Sequence, residues 1–143
     1  MIAIACDHGG YTLKKEIIEY LEQSGLSFKD FGTNSTDAVD YPDYARMVGE
    51  SVLSGEADRG ILICGTGIGI SIAANKLQGI RAALVHDVFS AEATRLHNDA
   101  NILCMGGRVV AGGLAIKITD TFLNTEFSGA DRHARRVSKI EGE

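Results

Sequence analysis

Cys64 closes a short apolar run, Ile61-Leu62-Ile63-Cys64, and is followed at once by Gly65-Thr66-Gly67-Ile68-Gly69. The segment then resumes as a small-residue helical pattern through Ala74. A strand that feeds a glycine-rich turn opening a helix builds an anion site: the glycines let backbone approach a ligand, and the first helical N–H groups point at it. A thiol placed beside such donors loses its proton more readily than a free one. Cys64 is therefore the first candidate for chemistry. The competing reading is a core residue, because a lone strand cysteine is usually buried for packing. A Gly-Thr-Gly-Ile-Gly turn also serves, in many chains, only for close strand–helix contact.

Around this stretch the chain alternates between strand and helix patterns. Ile2 to Cys6 reads as a strand, Tyr11 to Glu22 as a helix, Ser27 to Phe31 as a second strand, and Pro42 to Leu53 as a second helix. Ile80 to Val85 is a fourth strand after the central one, His86 to Leu96 a helix begun by Asp87, and Asn101 to Met105 a fifth strand. Gly106-Gly107-Arg108 is expected to open a long last helix reaching Leu123. Such alternation implies parallel strands, right-handed crossovers and helices on both faces of one sheet. Ligands then bind beyond the carboxyl ends of the strands, near a switch in strand order. Those ends bring Cys6-Asp7-His8, Cys64-Gly65-Thr66, His86-Asp87 and Gly107-Arg108 to one rim. His97-Asn98-Asp99 precedes a strand and belongs to the opposite rim. His86 and His133 read as solvated or capping residues. Ser128-Gly129-Ala130-Asp131 breaks the pattern, and residues 124–143 form a polar tail in which Arg132 and Arg136, four apart, share a helical face.

Composition narrows the class. The 143 residues are 45% hydrophobic, enough for one domain (1–143) with a full core. A formal charge of −5 argues against a nucleic-acid partner, whose affinity comes from phosphate neutralisation. No apolar run approaches the ~20 residues that span a bilayer, and the start lacks a signal-peptide pattern. Three cysteines, an odd number without C-x-x-C spacing, point to a reducing compartment, the cytoplasm, and to no metal. The glycine spacing misses G-x-G-x-x-G and no P-loop lysine follows, which weakens the dinucleotide and triphosphate readings.

Several motifs together resemble the ribose-5-phosphate isomerase B family. They are Cys6-Asp7-His8-Gly9-Gly10, Asp40-Tyr41-Pro42, the whole GILICGTGIGISIAANK run, Gly79-Ile80-Arg81-Ala82, His97-Asn98-Asp99-Ala100-Asn101 and Gly107-Arg108-Val109-Val110. Arg132-His133 with Arg136 resembles the family's tail. The resemblance implies an α/β fold, a single-domain Rossmann-like three-layer sandwich with a five-stranded parallel sheet. It implies an aldose–ketose isomerase without cofactor, interconverting ribose 5-phosphate and ribulose 5-phosphate through a cis-enediolate, in the non-oxidative branch of the pentose phosphate pathway. In that reading Cys64 is the base, Gly65, Thr66, Gly67, Ile68 and Gly69 surround the enediolate oxygen, and His97 opens the sugar ring with Asp7 nearby. Tyr41 and Asn98 match positions near the sugar hydroxyls, and His8, Arg108, Arg132 and Arg136 match phosphate contacts. The family works as a homodimer with shared sites, or a dimer of such dimers, so His97 and the tail arginines would come from the partner subunit.

Two alternatives stand beside this one. A six-carbon sugar phosphate, allose or galactose 6-phosphate, could be the substrate. A non-catalytic phosphate- or nucleotide-binding module could use the same glycine loop, but it would have no need of Cys64, His97 and paired tail arginines together.

Overall fold

The computed structural model describes residues 1–143. Five strands, β1 (Ile2–Cys6), β2 (Phe28–Asp30), β3 (Arg59–Cys64), β4 (Ala82–Leu84) and β5 (Ile102–Gly106), form one sheet in the order β2-β1-β3-β5-β4. Every neighbouring pair is parallel. The helices are α1 (Tyr11–Gln23), α2 (Tyr41–Leu53), α3 (Ile68–Ala74), α4 (Val88–Asn98), α5 (Gly112–Asn124) and α6 (Asp131–Ile140). This is the α/β sandwich expected from the alternation.

The three central strands are apolar along their length because both faces of the sheet are covered. Successive side chains leave a strand on opposite faces. Ile2, Ile4 and Cys6, with Ile61, Ile63, Leu103 and Met105, pack toward α1, α4 and α5. Ala3, Ala5, Leu62, Cys64, Ile102 and Cys104 pack toward α2 and α3. Cys64 and Cys104 thus share one face, and Cys6 occupies the other.

This topology creates the site. After β1 and β5 the chain passes to the α1/α5 face, whereas after β3 it passes to the α2/α3 face. Adjacent strands whose chains part to opposite faces open a crevice at their carboxyl ends. Here β3 is flanked by such a partner on each side, and Cys64 is its last residue.

Several boundaries differ from the sequence expectation, for identifiable reasons. The last long helix begins at Gly112, not Gly106. The amides of Gly107 and Arg108 donate instead to the carbonyls of Cys64 and Gly65, at 2.8 and 3.0 Å, so residues 107–110 are held as a turn against the β3 loop. A short 3-10 turn, His8–Gly10, precedes α1, capped by Asp7. The tail is not loose: α6 docks on α4 of its own chain through His133, which is buried rather than solvated.

Candidate active site

Cys64 is 4% exposed, and its Sγ accepts the Gly67 amide proton at 3.1 Å. The Ile68 amide donates to Thr66 Oγ1 at 3.2 Å, closing the turn on itself. The amides of Gly65, Thr66 and Gly69 enter no hydrogen bond within the protein. A sulfur and a set of free N–H groups therefore lie within five residues of each other. Gly67 caps α3 at φ +77°, in the left-handed region that favours glycine.

The glycines of three strand ends are required by close backbone approach. A β-carbon on Gly9 would lie 2.9 Å from the Gly65 nitrogen, one on Gly106 2.6 Å from the Thr66 carbonyl carbon, and one on Gly107 2.6 Å from the Gly9 oxygen. The loops after β1, β3 and β5 consequently interlock, with no side chain between them. Around this floor the expected residues assemble. Asp7 is buried, and its Oδ1 accepts the Gly9 amide at 2.9 Å. The Arg108 guanidinium lies over Gly65, and the Tyr41 ring over Gly69. Asp7, His8 and Tyr41 line a cleft of about 540 Å³ with Val39, Asp40, Pro42 and Asp43.

The loop between β2 and α2 is held to this cleft by His8 and Lys14. His8 Nδ1 accepts the Val39 amide at 3.3 Å. Lys14, 1% exposed, donates to Asp30 Oδ1 at 2.8 Å and to Asn34 Oδ1 at 3.1 Å, and also to the Thr33 carbonyl. A buried ammonium with three acceptors is a satisfied one. On the other flank His86 is not merely solvated. Its Nε2 accepts the Gly106 amide at 3.0 Å, and burial pushes its imidazole below the ordinary value of 6.5.

The thiols separate cleanly. Burial pushes Cys6 up to about 11 and raises Cys104 further, the latter with added repulsion from Cys64. Neither lies beside free backbone donors.

His97, Asn98, Arg132 and Arg136 are not brought to Cys64 within one chain. His97 lies in the last turn of α4, which ends at the amino rim just before β5. Cys64 is level with Gly106 at the far end of that strand, and Ile102 begins it. Four strand rises, roughly 13 Å, separate the two rims. These four residues form a second cluster instead. The His97 and His133 rings stack at 4.4 Å, and α6 presents Arg132 and Arg136 as exposed residues. Arg81 pins the cluster: it donates to the carbonyls of Asn98 and Asp99 and, at 2.8 Å, to Glu141 at the end of α6. Arg95 adds bonds to Asp99 Oδ1 and the Ala100 carbonyl. None of Arg108, Arg132 and Arg136 takes part in the chain's ion pairs. Sequence reasoning missed Arg81 and His133 as parts of this cluster, since their partners are far apart in the chain or on a different helix.

Residues 2–140 match the family described as Ribose/Galactose Isomerase. The chain belongs to the ribose/galactose isomerase family. It is an isomerase, of the ribose-5-phosphate isomerase B type in sequence and fold. A Bacillus subtilis relative named as a putative sugar phosphate isomerase is 56% identical over 97% of this chain and 93% of its own length. The Escherichia coli ribose-5-phosphate isomerase B is 50% identical over 97% and 93%. Among solved structures, the Clostridium thermocellum ribose-5-phosphate isomerase B superposes with a TM-score of 0.96 at 56% identity, covering 99% of this chain and 95% of that one. The Mycoplasma genitalium enzyme, solved with bound ribulose-5-phosphate, gives 0.93 at 47% identity over 99% and 93%. Family members of this type therefore share the whole architecture described above, and no helix of this chain is long and apolar enough to cross a membrane.

Proposed function

We propose that this isomerase interconverts ribose 5-phosphate and ribulose 5-phosphate through a cis-enediolate, with Cys64 as the base. The observation that carries the reading is that the Cys64 sulfur, bonded to the Gly67 amide, sits in the same turn as the free amides of Gly65, Thr66 and Gly69. Removing a proton next to a carbonyl needs a base within hydrogen-bond reach, and donors aimed at the oxygen that gains charge. Cys64 takes the C2 proton of the open-chain aldose and returns it to C1. The O2 hydroxyl proton passes to O1, so that C2=O2 forms as C1=O1 is lost, and the loop amides hold the enediolate oxygen. Aldose and ketose are isomers at the same overall oxidation level, so the step calls for no cofactor. Thr66 lies beside the thiol, and Tyr41 with Asn98 meets the sugar hydroxyls. His8, Arg108, Arg132 and Arg136 hold the phosphate, whose binding energy positions the reacting carbons.

His97, aided by Asp7, opens the sugar ring, and it does so from the partner subunit of a homodimer. The ~13 Å between the two rims supports this, since one chain leaves the His97 cluster short of its own Cys64. So do Ile68, Ile72, Phe89 and Val109, apolar yet 51%, 56%, 80% and 56% exposed on elements around the glycine loop, where a second copy would bury them. The reading places the enzyme in the cytoplasm, in the non-oxidative branch of the pentose phosphate pathway.

Exchange of the substrate's C2 proton with deuterated solvent, followed by NMR, tests the base. Cys64→Ser should lose about 10²–10⁴-fold in rate with little change in binding, and Cys6→Ser should be mild. Exchange by Cys64→Ser at the wild-type rate would make Cys64 a packing residue. A six-carbon sugar phosphate is the second reading, because the family's description names galactose beside ribose. Measuring kcat/KM for ribose 5-phosphate and allose 6-phosphate side by side decides between them.

A further inference from the structure

His133 is the one residue of the polar helix α6 that is buried, although Arg132 and Arg136 flank it. Its ring lies face to face with that of His97, the centroids 4.4 Å apart and the planes 16° from parallel. His97 is otherwise exposed, and its side chain makes no hydrogen bond within the protein. A side chain at a helix end without such a bond samples several rotamers unless packing selects one. The only aromatic packing given to His97 is this stack. Burial, reinforced by Arg132, His97 and Arg136, holds the His133 imidazole below its ordinary value, so it serves as a neutral surface beside a group that exchanges protons.

We infer that His133 is a positioning residue for His97, its ring forming the platform that fixes the plane of the His97 imidazole. The inference rests on the reading above, in which His97 opens the sugar ring. Opening a furanose moves a proton off the anomeric hydroxyl O1, forms the C1=O1 double bond, breaks the C1–O4 bond and leaves a proton on O4. An imidazole that serves both oxygens must keep its nitrogens in one plane and at one depth. Displacement by about 1 Å costs on the order of 10²-fold in rate. Helix α6 then has two functions on two faces. Arg132 and Arg136 point outward for the phosphate, and His133 turns inward to support the residue that acts on the ring.

The test compares four variants on ribose 5-phosphate: His133→Ala, His133→Leu, His133→Phe and His97→Asn. His133→Ala and His133→Leu should lower kcat about ten- to a hundredfold, with KM within about threefold of wild type because the arginines stay in place. His133→Phe, which restores a flat ring, should recover kcat to within about threefold. A purely structural role would instead raise KM by loosening α6, and leucine would rescue it as well as phenylalanine. Should His133→Ala fail to fold, the leucine and phenylalanine variants, both filling the site, still decide the matter. Equal kcat in those two folded variants overturns the inference. Wild-type kcat in His133→Ala, with His97→Asn inactive, overturns it while leaving the role of His97 intact. Full activity in His97→Asn overturns that role, and the inference with it.

Discussion

The amide of Gly67 donates to Cys64 Sγ across 3.1 Å, and the same residue then turns the chain into α3 with a left-handed backbone at φ +77°. A β-carbon there would also lie 2.7 Å from the Met105 carbonyl carbon and 2.9 Å from the Gly106 nitrogen. Gly67→Ala should therefore destabilise the fold by about 2 kcal/mol or more and disable the site at once. Gly113→Ala is the contrast, since nothing lies within 4 Å of its β-carbon position and it is an exposed helical residue. That change should stabilise by up to about 1 kcal/mol. Urea midpoints of the two variants, beside kcat, check both expectations.

Phosphate capture by the tail should act between subunits. Arg136→Ala should raise KM roughly ten- to a hundredfold, the scale of a lost charged hydrogen bond, with the fold intact. Mixing it with Cys64→Ala protein should restore part of the activity, since one site of each hybrid dimer carries both native residues. No recovery after demonstrated subunit exchange would refute the shared site.

Arg81 ties the end of α4 to the end of α6 through Asn98, Asp99 and Glu141. Arg81→Met leaves those carbonyls without a donor and the Glu141 carboxylate with the Gly79 amide alone. A loss of about 1–3 kcal/mol in stability is expected. Because both His97 and Arg136 lose their anchorage, kcat should fall and KM rise together. A variant with wild-type kinetics and lowered stability would confine Arg81 to folding.

The pH dependence of stability should fall on both sides of neutrality. On the acid side His86 is held below 6.5 when folded, so its contribution is complete above 6.5 and is lost as pH falls through the folded value. Protonation also removes the Nε2 lone pair that accepts the Gly106 amide. His86→Gln, which keeps an acceptor and cannot titrate, should lose less stability than wild type between pH 7.5 and about 5.5. An unchanged slope in urea titrations would exclude His86 as the sensor.

On the alkaline side Cys6 ionises at about 11 when folded, against 9.0 for an unburied thiol. Stability is complete below 9.0 and declines as pH rises toward about 11, with Cys104 adding in the same sense. Cys6→Ser removes one of these thiols, so its urea midpoint should fall less steeply over that interval than the wild-type one.

Strand and helix order was legible in the chain because the periods of burial are local: apolar runs for strands covered on both faces, three- and four-residue spacing for helices. The glycine loop with Cys64, Asp7, His8 and Arg108 followed from the same logic, since carboxyl ends of parallel strands must share a rim. Where local pattern misled, a distant partner had claimed the backbone. Gly107 and Arg108 look like a helix start, but their amides are spent on the carbonyls of Cys64 and Gly65.

The chain alone dictates that a thiol ends a buried strand and faces a turn of glycines, because adjacent residues cannot avoid one another. Only the tertiary structure decided the strand order that puts β3 between β1 and β5, and so makes three glycine loops interlock beneath Cys64. It alone stacked His133 on His97, thirty-six positions apart, and left that pair one strand length from the thiol. Pairing across such separations depends on how whole elements pack, and no local period of the chain encodes it.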